Sequence, residues 1–272
     1  MPSIFPLETT VHKKLLSIVI VIILSTLVFS ACNLPSRQAV QAGTPASVTG
    51  TILKSTPTPS SQCDNQYFPS NLGDAWEYSG TNSAIGAYTR TDSITNSGTE
   101  AFTLGTTQSG VTYDITYACS LTGLTSTDPI LQYAGALLSS PDAPVNVNLS
   151  SNSGISLPAK ISPGDTWQQT ADWNATSSQL SLNGKFVFDY TAVGFENVTV
   201  PFGTFNALRV DTTIRIEVSG FRILAGTYTT TTWLAPEVGI VKSEGTSHVP
   251  GVDFTDSMQL TRYNREPNPL LS

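Results

Sequence analysis

The chain has 272 residues, a formal charge of −7 and a pI near 4.7. An acidic chain repels phosphate backbones, which argues against nucleic acid as a partner. Charged residues are only 12% of the total, while Gly, Ser, Thr and Asn are plentiful. That composition is unlike a helical enzyme and typical of an exported all-β protein.

Residues 1–31 read as a targeting segment. Lys13 and Lys14 form its positive flank, Leu15 to Phe29 its apolar run, and Ser30-Ala31 the small residues before Cys32. An apolar run of about 15 residues fits a signal peptide better than a membrane span, which needs roughly 20. The FSAC sequence resembles a bacterial lipobox, with Phe29 where Leu is usual. That resemblance implies an acylated (palmitate-type) Cys32 as the mature N-terminus. The chain would then be extracytoplasmic and anchored to the cell membrane. Residues 32–62 include TPTPSS and are rich in Ser, Thr and Pro. They hold too few apolar groups to offset the entropy of ordering, so they read as a disordered tether.

With Cys32 acylated, Cys63 and Cys119 remain. In an oxidising compartment a disulfide between them is the default. A two-cysteine metal site would lack further ligands, because the mature chain keeps only His248.

The folded domain spans residues 63–265, with 266–272 as a frayed tail. It opens on Phe68-Pro69…Gly73-Asp74-Ala75-Trp76. A similar motif follows 91 residues later, at Leu157-Pro158…Gly164-Asp165-Thr166-Trp167. Pro and Gly set a turn, and the Trp starts a strand facing the core. Asp74 and Asp165 read as turn caps rather than as a carboxylate pair. The repetition suggests two related halves, 63–150 and 151–265.

Strands are predicted near 88–94, 100–107 and 111–120. Asp128 and Pro129 suit the start of a short helix over 128–138. Residues 139–156 read as loop with an extended piece around VNVNL. Phe186, Phe188 and Tyr190 then alternate with polar neighbours. Pro201 and Gly203 suit a tight turn. The clearest strand follows. Leu208, Val210, Thr212, Ile214, Ile216 and Val218 share one face, opposite Arg209, Asp211, Thr213, Arg215 and Glu217. One face must be core and the other wet, so the sheet is antiparallel. Thr227–Leu234 is the next strand, Pro236 to Gly239 the next turn, and Ile240–Lys242 and Val252–Tyr263 the last strands.

The predicted class is therefore mainly β: a long, curved antiparallel sheet with at most one or two short helices. It could form a half-barrel or a sandwich. In a half-barrel, Leu208, Val210, Ile214 and Ile216, with Trp76 and Trp167, would be the candidate apolar ligand face.

YFPSNLGDAWEY, VTVPFGTFNALRV and WLAPEVGIVK resemble motifs of a broad group of uncharacterised bacterial envelope lipoproteins. Those carry a YFPL-x-x-G-x-x-W-x-Y opening, a VPAGTF turn and an APGVGLVK ending. The chain departs at Ser70, Phe202 and Glu237, where the pattern has Leu, Ala and Gly. That group is similar to the lipoprotein-carrier (LolA-like) superfamily, which implies a half-barrel holding acyl chains.

No G-x-S-x-G elbow, H-E-x-x-H motif or glycine-rich nucleotide loop occurs, and His248 sits in the loop-like run EGTSHVPG. No catalytic residue, metal site or cofactor is implied. The sequence supports a non-catalytic, monomeric, lipid-anchored binding protein whose partner is an apolar ligand or a lipidated protein. The alternative is an envelope interaction module with a filled core.

Overall fold

The computed structural model describes residues 62–128, 146–177, 181–219, 225–249 and 252–265. The signal segment, Cys32, the tether up to residue 61, residues 129–138 of the predicted helix and the tail 266–272 lie outside them. Thirteen strands fill the described chain. They are β1 Ala75–Asn82, β2 Gly86–Ser97, β3 Ala101–Gln108, β4 Val111–Ser120, β5 Gly123–Ser126, β6 Asn146–Gly154 and β7 Leu157–Pro158. There follow β8 Thr166–Thr176, β9 Ser181–Val200, β10 Gly203–Val218, β11 Gly226–Ala235, β12 Gly239–Val249 and β13 Val252–Asn264.

All belong to one antiparallel sheet in the order β6-β8-β9-β10-β11-β12-β13-β1-β2-β3-β4-β5-β7. The sheet is neither a two-sheet sandwich nor a closed barrel. Its two edges are nonetheless joined by one piece of chain. Residues 146–154 pair with β8 at one edge, and Leu157-Pro158 pair with Gly123-Leu124 of β5 at the other. Pro158 suits this place, because an edge position asks nothing of its missing N–H. Side chains complete the seam. Gln169 is 1% exposed. It donates to the Ser126 carbonyl and to Asn152 Oδ1, both at 2.9 Å, and accepts from Ser156 Oγ at 2.6 Å.

The curled sheet encloses its core. Leu208, Val241 and Leu260 are fully buried, with Trp76, Tyr78, Leu104, Val210 and Met258 beside them. A second cluster gathers Trp173, Phe186, Phe188 and Ile214. The start of the domain closes one end of the interior. Tyr67 is buried with Phe68 packed on the core. Gln66 accepts from the Glu237 N–H at 2.7 Å, and Asn65 donates to the Pro158 carbonyl at 3.0 Å. Cys63 and Cys119 are disulfide-bonded with Cα atoms 4.9 Å apart, which fastens this segment to β4.

The two repeated motifs share one hydrogen-bond pattern. Asp74 accepts from the Asn71 N–H at 3.1 Å, and Asp165 accepts from the Ser162 N–H at 2.7 Å. Gly73 and Gly164 have φ of 88° and 93°. They donate to Ile94 and Ala192, which in turn donate back to the carbonyls of Asp74 and Asp165. Both carboxylates therefore cap turns.

Strand lengths differ from expectation where the inward residues are small. β12 runs to Val249 and includes His248, which the sequence placed in a loop. Its inward positions are Gly245 and Ser247, which hold no apolar alternation. They face Tyr228, whose ring occupies the space a Cβ at Gly245 would need. β6 likewise extends through polar residues to Gly154.

Two stability predictions follow from these contacts. The disulfide closes a span of 56 residues. Replacing both cysteines with Ser should cost about 4 kcal/mol in a urea titration, as loop-closure entropy returns to the unfolded chain. Glu237 has a φ of 64°, a conformation that costs a side chain roughly 1–2 kcal/mol. Its ion pair with Arg265 is exposed and worth little. Glu237→Gly should therefore raise the denaturation midpoint, by about 1 kcal/mol in stability.

Candidate functional site

The candidate apolar face lies inside the core. Leu208, Val210 and Trp76 belong to one buried cluster with Trp167 packed against it, while Ile214 belongs to the second, with Ile216 at its border. Each indole is anchored by a hydrogen bond from its edge and by a stacked ring on one face. Trp76 donates to the Val238 carbonyl at 2.6 Å and stacks on Tyr263 at 5.4 Å. Trp167 donates to the Ser156 carbonyl at 3.1 Å and stacks on Tyr190 at 5.2 Å. Pro201, Gly203, Pro236 and Gly239 form the β9–β10 and β11–β12 turns.

The interior also holds a charge pair that the sequence reading missed. Arg90 and Asp92 point inward from β2 and meet in a two-pronged contact, both bonds 2.8 Å. Thr106 Oγ1 donates to Asp92 at 2.9 Å. Burial works against the Arg90 charge, but the adjoining Asp92 carboxylate outweighs it and raises the guanidinium pKa. The only signal in the sequence is their spacing, two residues apart and in step with Ile94. Tyrosines surround this pair. Burial, foremost, pushes Tyr117 up to about 12, with Arg90 opposing. It also pushes Tyr228 up to about 12, helped by Asp256.

On the opposite, outward face lies a recess of about 920 Å³. Cross-strand register builds it in two ranks. One rank is Asp211, Thr231, Glu244, Ser257 and Thr81; the other is Thr213, Thr229, Thr246 and Thr255. Strands stand about 4.8 Å apart, so each rank sets side-chain oxygens at near-constant spacing. Ser83 and Gly86, at the β1–β2 turn, complete the lining. Thr231 Oγ1 donates to Asp211 at 2.8 Å, and Thr81 and Ser257 share a hydrogen bond of 2.9 Å.

The carboxylates of the recess are matched by cations on the next rank. Arg209 pairs with Asp211 at 2.9 Å and with Glu196 at 3.4 Å. Lys242 pairs with Glu244 at 2.7 Å and lies 4.5 Å from the centre of the Trp233 ring. Trp233 Nε1 donates to Glu196 at 2.9 Å. The recess is thus polar, and its Asp211 and Glu244 carboxylates each have a cation beside them, Arg209 being shared with Glu196. His248 stands across from Asp253 and Thr227 in the ladders, but no hydrogen bond links its side chain to theirs. Among the described residues no three or more His, Cys, Asp or Glu side chains cluster in a metal-binding arrangement.

The fold and the outward recess define a class: a one-sheet, antiparallel β module with a filled interior. A DUF3108-like family model matches residues 138–248. A candidate lipoprotein from Parabacteroides distasonis shares the fold with a TM-score of 0.50 at 15% identity, over 74% of this chain and 99% of its own. A candidate exported protein with a YmcC-like fold from Bacteroides fragilis gives 0.48 at 15% identity, over 74% and 100%. The hypothetical lipoprotein YmcC from Escherichia coli gives 0.34 at 11% identity, over 75% and 87%. No curated protein matches the sequence.

The half-buried Tyr117 and Tyr228 set a pH dependence. The unfolded phenol ionises near 10, so it loses its proton before folded Tyr117 and Tyr228 do. The stability these groups contribute is complete below pH 10 and is lost as pH rises towards 12. Tyrosinate absorbance should show a component titrating near 12, and the urea midpoint should fall across the same interval.

Proposed function

We propose that this chain is a lipid-anchored, extracytoplasmic, non-catalytic binding module whose outward recess holds a neutral, hydroxyl-rich ligand with the chemistry of a glycan chain. One observation carries this reading. The inward face that an acyl ligand would need is filled by Leu208, Val210 and Ile214, while the recess lies on the polar face. Ranks of Thr and Ser hydroxyls, with carboxylates already paired to Arg209 and Lys242, suit sugar hydroxyls better than a charged or greasy partner. The description of the Parabacteroides protein as a candidate lipoprotein supports export and anchoring through Cys32.

Isothermal titration of the chain, extracted in mild detergent, with neutral polysaccharide from its own cell surface tests this. Saturable binding is expected. Thr229→Val with Thr246→Val removes two hydroxyls from one rank and should weaken it about 10-fold or more, at about 1 kcal/mol per hydrogen bond. Equal binding by the variant, or an acyl lipid that stays bound in native mass spectrometry, sinks the proposal.

A further inference from the structure

The alternation of antiparallel strands assigns every turn to one of two ends. The end that holds Cys63 carries the start of β1 and the turns at 98–100, 121–122, 201–202 and 236–238. The end near Ser83 and the recess carries the turns at 83–85 and 109–110. Exposed apolar side chains are distributed very unevenly between them. Leu121 is 87% exposed, Leu72 62%, Phe195 48%, Val193 45% and Phe202 41%. All five lie in the turns of the Cys63 end or in the half of β9 that runs to it. At the other end only Ile85 is comparably exposed among the described residues.

Leu72 and Leu121 flank the point where the preceding chain joins the domain. Leu72 lies in the segment whose Ser70 hydroxyl donates to the Cys63 carbonyl at 3.3 Å, and Leu121 follows two residues after Cys119. Phe202 caps the β9–β10 turn, where its N–H donates to the Leu260 carbonyl at 3.1 Å. Each lies in or beside a hydrogen-bonded turn with its side chain exposed to solvent. Single exposed apolar residues are ordinary, but several projecting from rigid turns on one end mark a surface that meets something apolar.

The position of the chain junction says what that is. About 30 residues separate Cys32 from Cys63, and the disulfide fixes the junction at this end. We propose that the Cys63 end seats directly on the bilayer that holds the chain's own anchor, with Leu72, Leu121 and Phe202 entering the headgroup region. This rests on acylation of Cys32, as in the function proposed above. The same end carries Asp64, Glu100, Asp165 and Glu237 against Lys160 and Arg265, all exposed. Anionic headgroups therefore gain nothing here, and the contact is apolar insertion into a neutral lipid surface. Seating of this end turns the recess away from the membrane.

Neutron reflectometry of the full mature, acylated chain on a supported phosphatidylcholine bilayer tests the seating. A domain held only by a coil of that length stands off by roughly 30 Å of water. The expected profile instead has protein abutting the headgroups with no resolved water layer. The triple variant Leu72→Ser, Leu121→Ser, Phe202→Ser should restore the layer, with the amount of anchored protein and the circular dichroism unchanged. A water layer under the parent chain overturns the seating while leaving the anchor intact. Failure of the parent to stay on the bilayer, with no acyl mass on Cys32, overturns the anchoring reading and the seating together.

Discussion

A sheet of thirteen strands has two edges, and the way they are satisfied governs the rest of this structure. Free edges are unpaired donors and acceptors that recruit other chains. Here the segment 146–158 lies against one edge with its first part and the other with its last. The sheet must curl far enough for that one segment to reach both. The curl turns Leu208, Val210, Trp76 and Leu260 towards each other and leaves them no solvent. Gln169, with its three hydrogen bonds to Ser126, Asn152 and Ser156, holds the join where the ladder itself stops. Such a buried amide is tolerable only because all these bonds are made.

The same curvature separates the molecule's surfaces by chemistry. Inward positions are filled by aromatic and branched side chains, closed at one end by residues 63–74. Outward positions across β10, β11, β12, β13 and β1 line up as threonine, serine and paired carboxylates. Apolar turns gather at the end where the preceding chain joins, and the hydroxyl ranks lie towards the other. The proposed binding chemistry and the proposed membrane contact thus fall on different faces.

Much of the fold was legible in the sequence. The β10 alternation, the two Gly-Asp-x-Trp turns and the cysteine pair each depend on residues close in sequence or on a compartment rule, and the structure holds all three. Other features could not be read. Gly245 and Ser247 face the interior without any apolar signature, because Tyr228 fills their space from the next strand. Arg90 and Asp92 look like surface residues until the ladder puts them opposite Tyr78 and Trp76. The recess was hidden for the same reason. Thr229 and Thr246 stand far apart in sequence, and only cross-strand register makes them neighbours. Leu208, Val210, Ile214 and Ile216 share one face of β10, as their alternation suggests, but the partners that fill the space before that face, Trp76 among them, come from distant strands.

The union of β1 with β13 has a kinetic meaning. Asn82 bonds to Asp256 across 174 residues, and Trp76 bonds to Val238 across 162. Native contacts this far apart must wait for large loops to close, so folding is slow and late. The first strand pairs early with β2, but its other neighbour is missing until the last strand has been made. A chain leaving a ribosome in this order cannot complete its sheet until synthesis is nearly finished. That delay fits the proposed export, which requires a chain that has not yet folded.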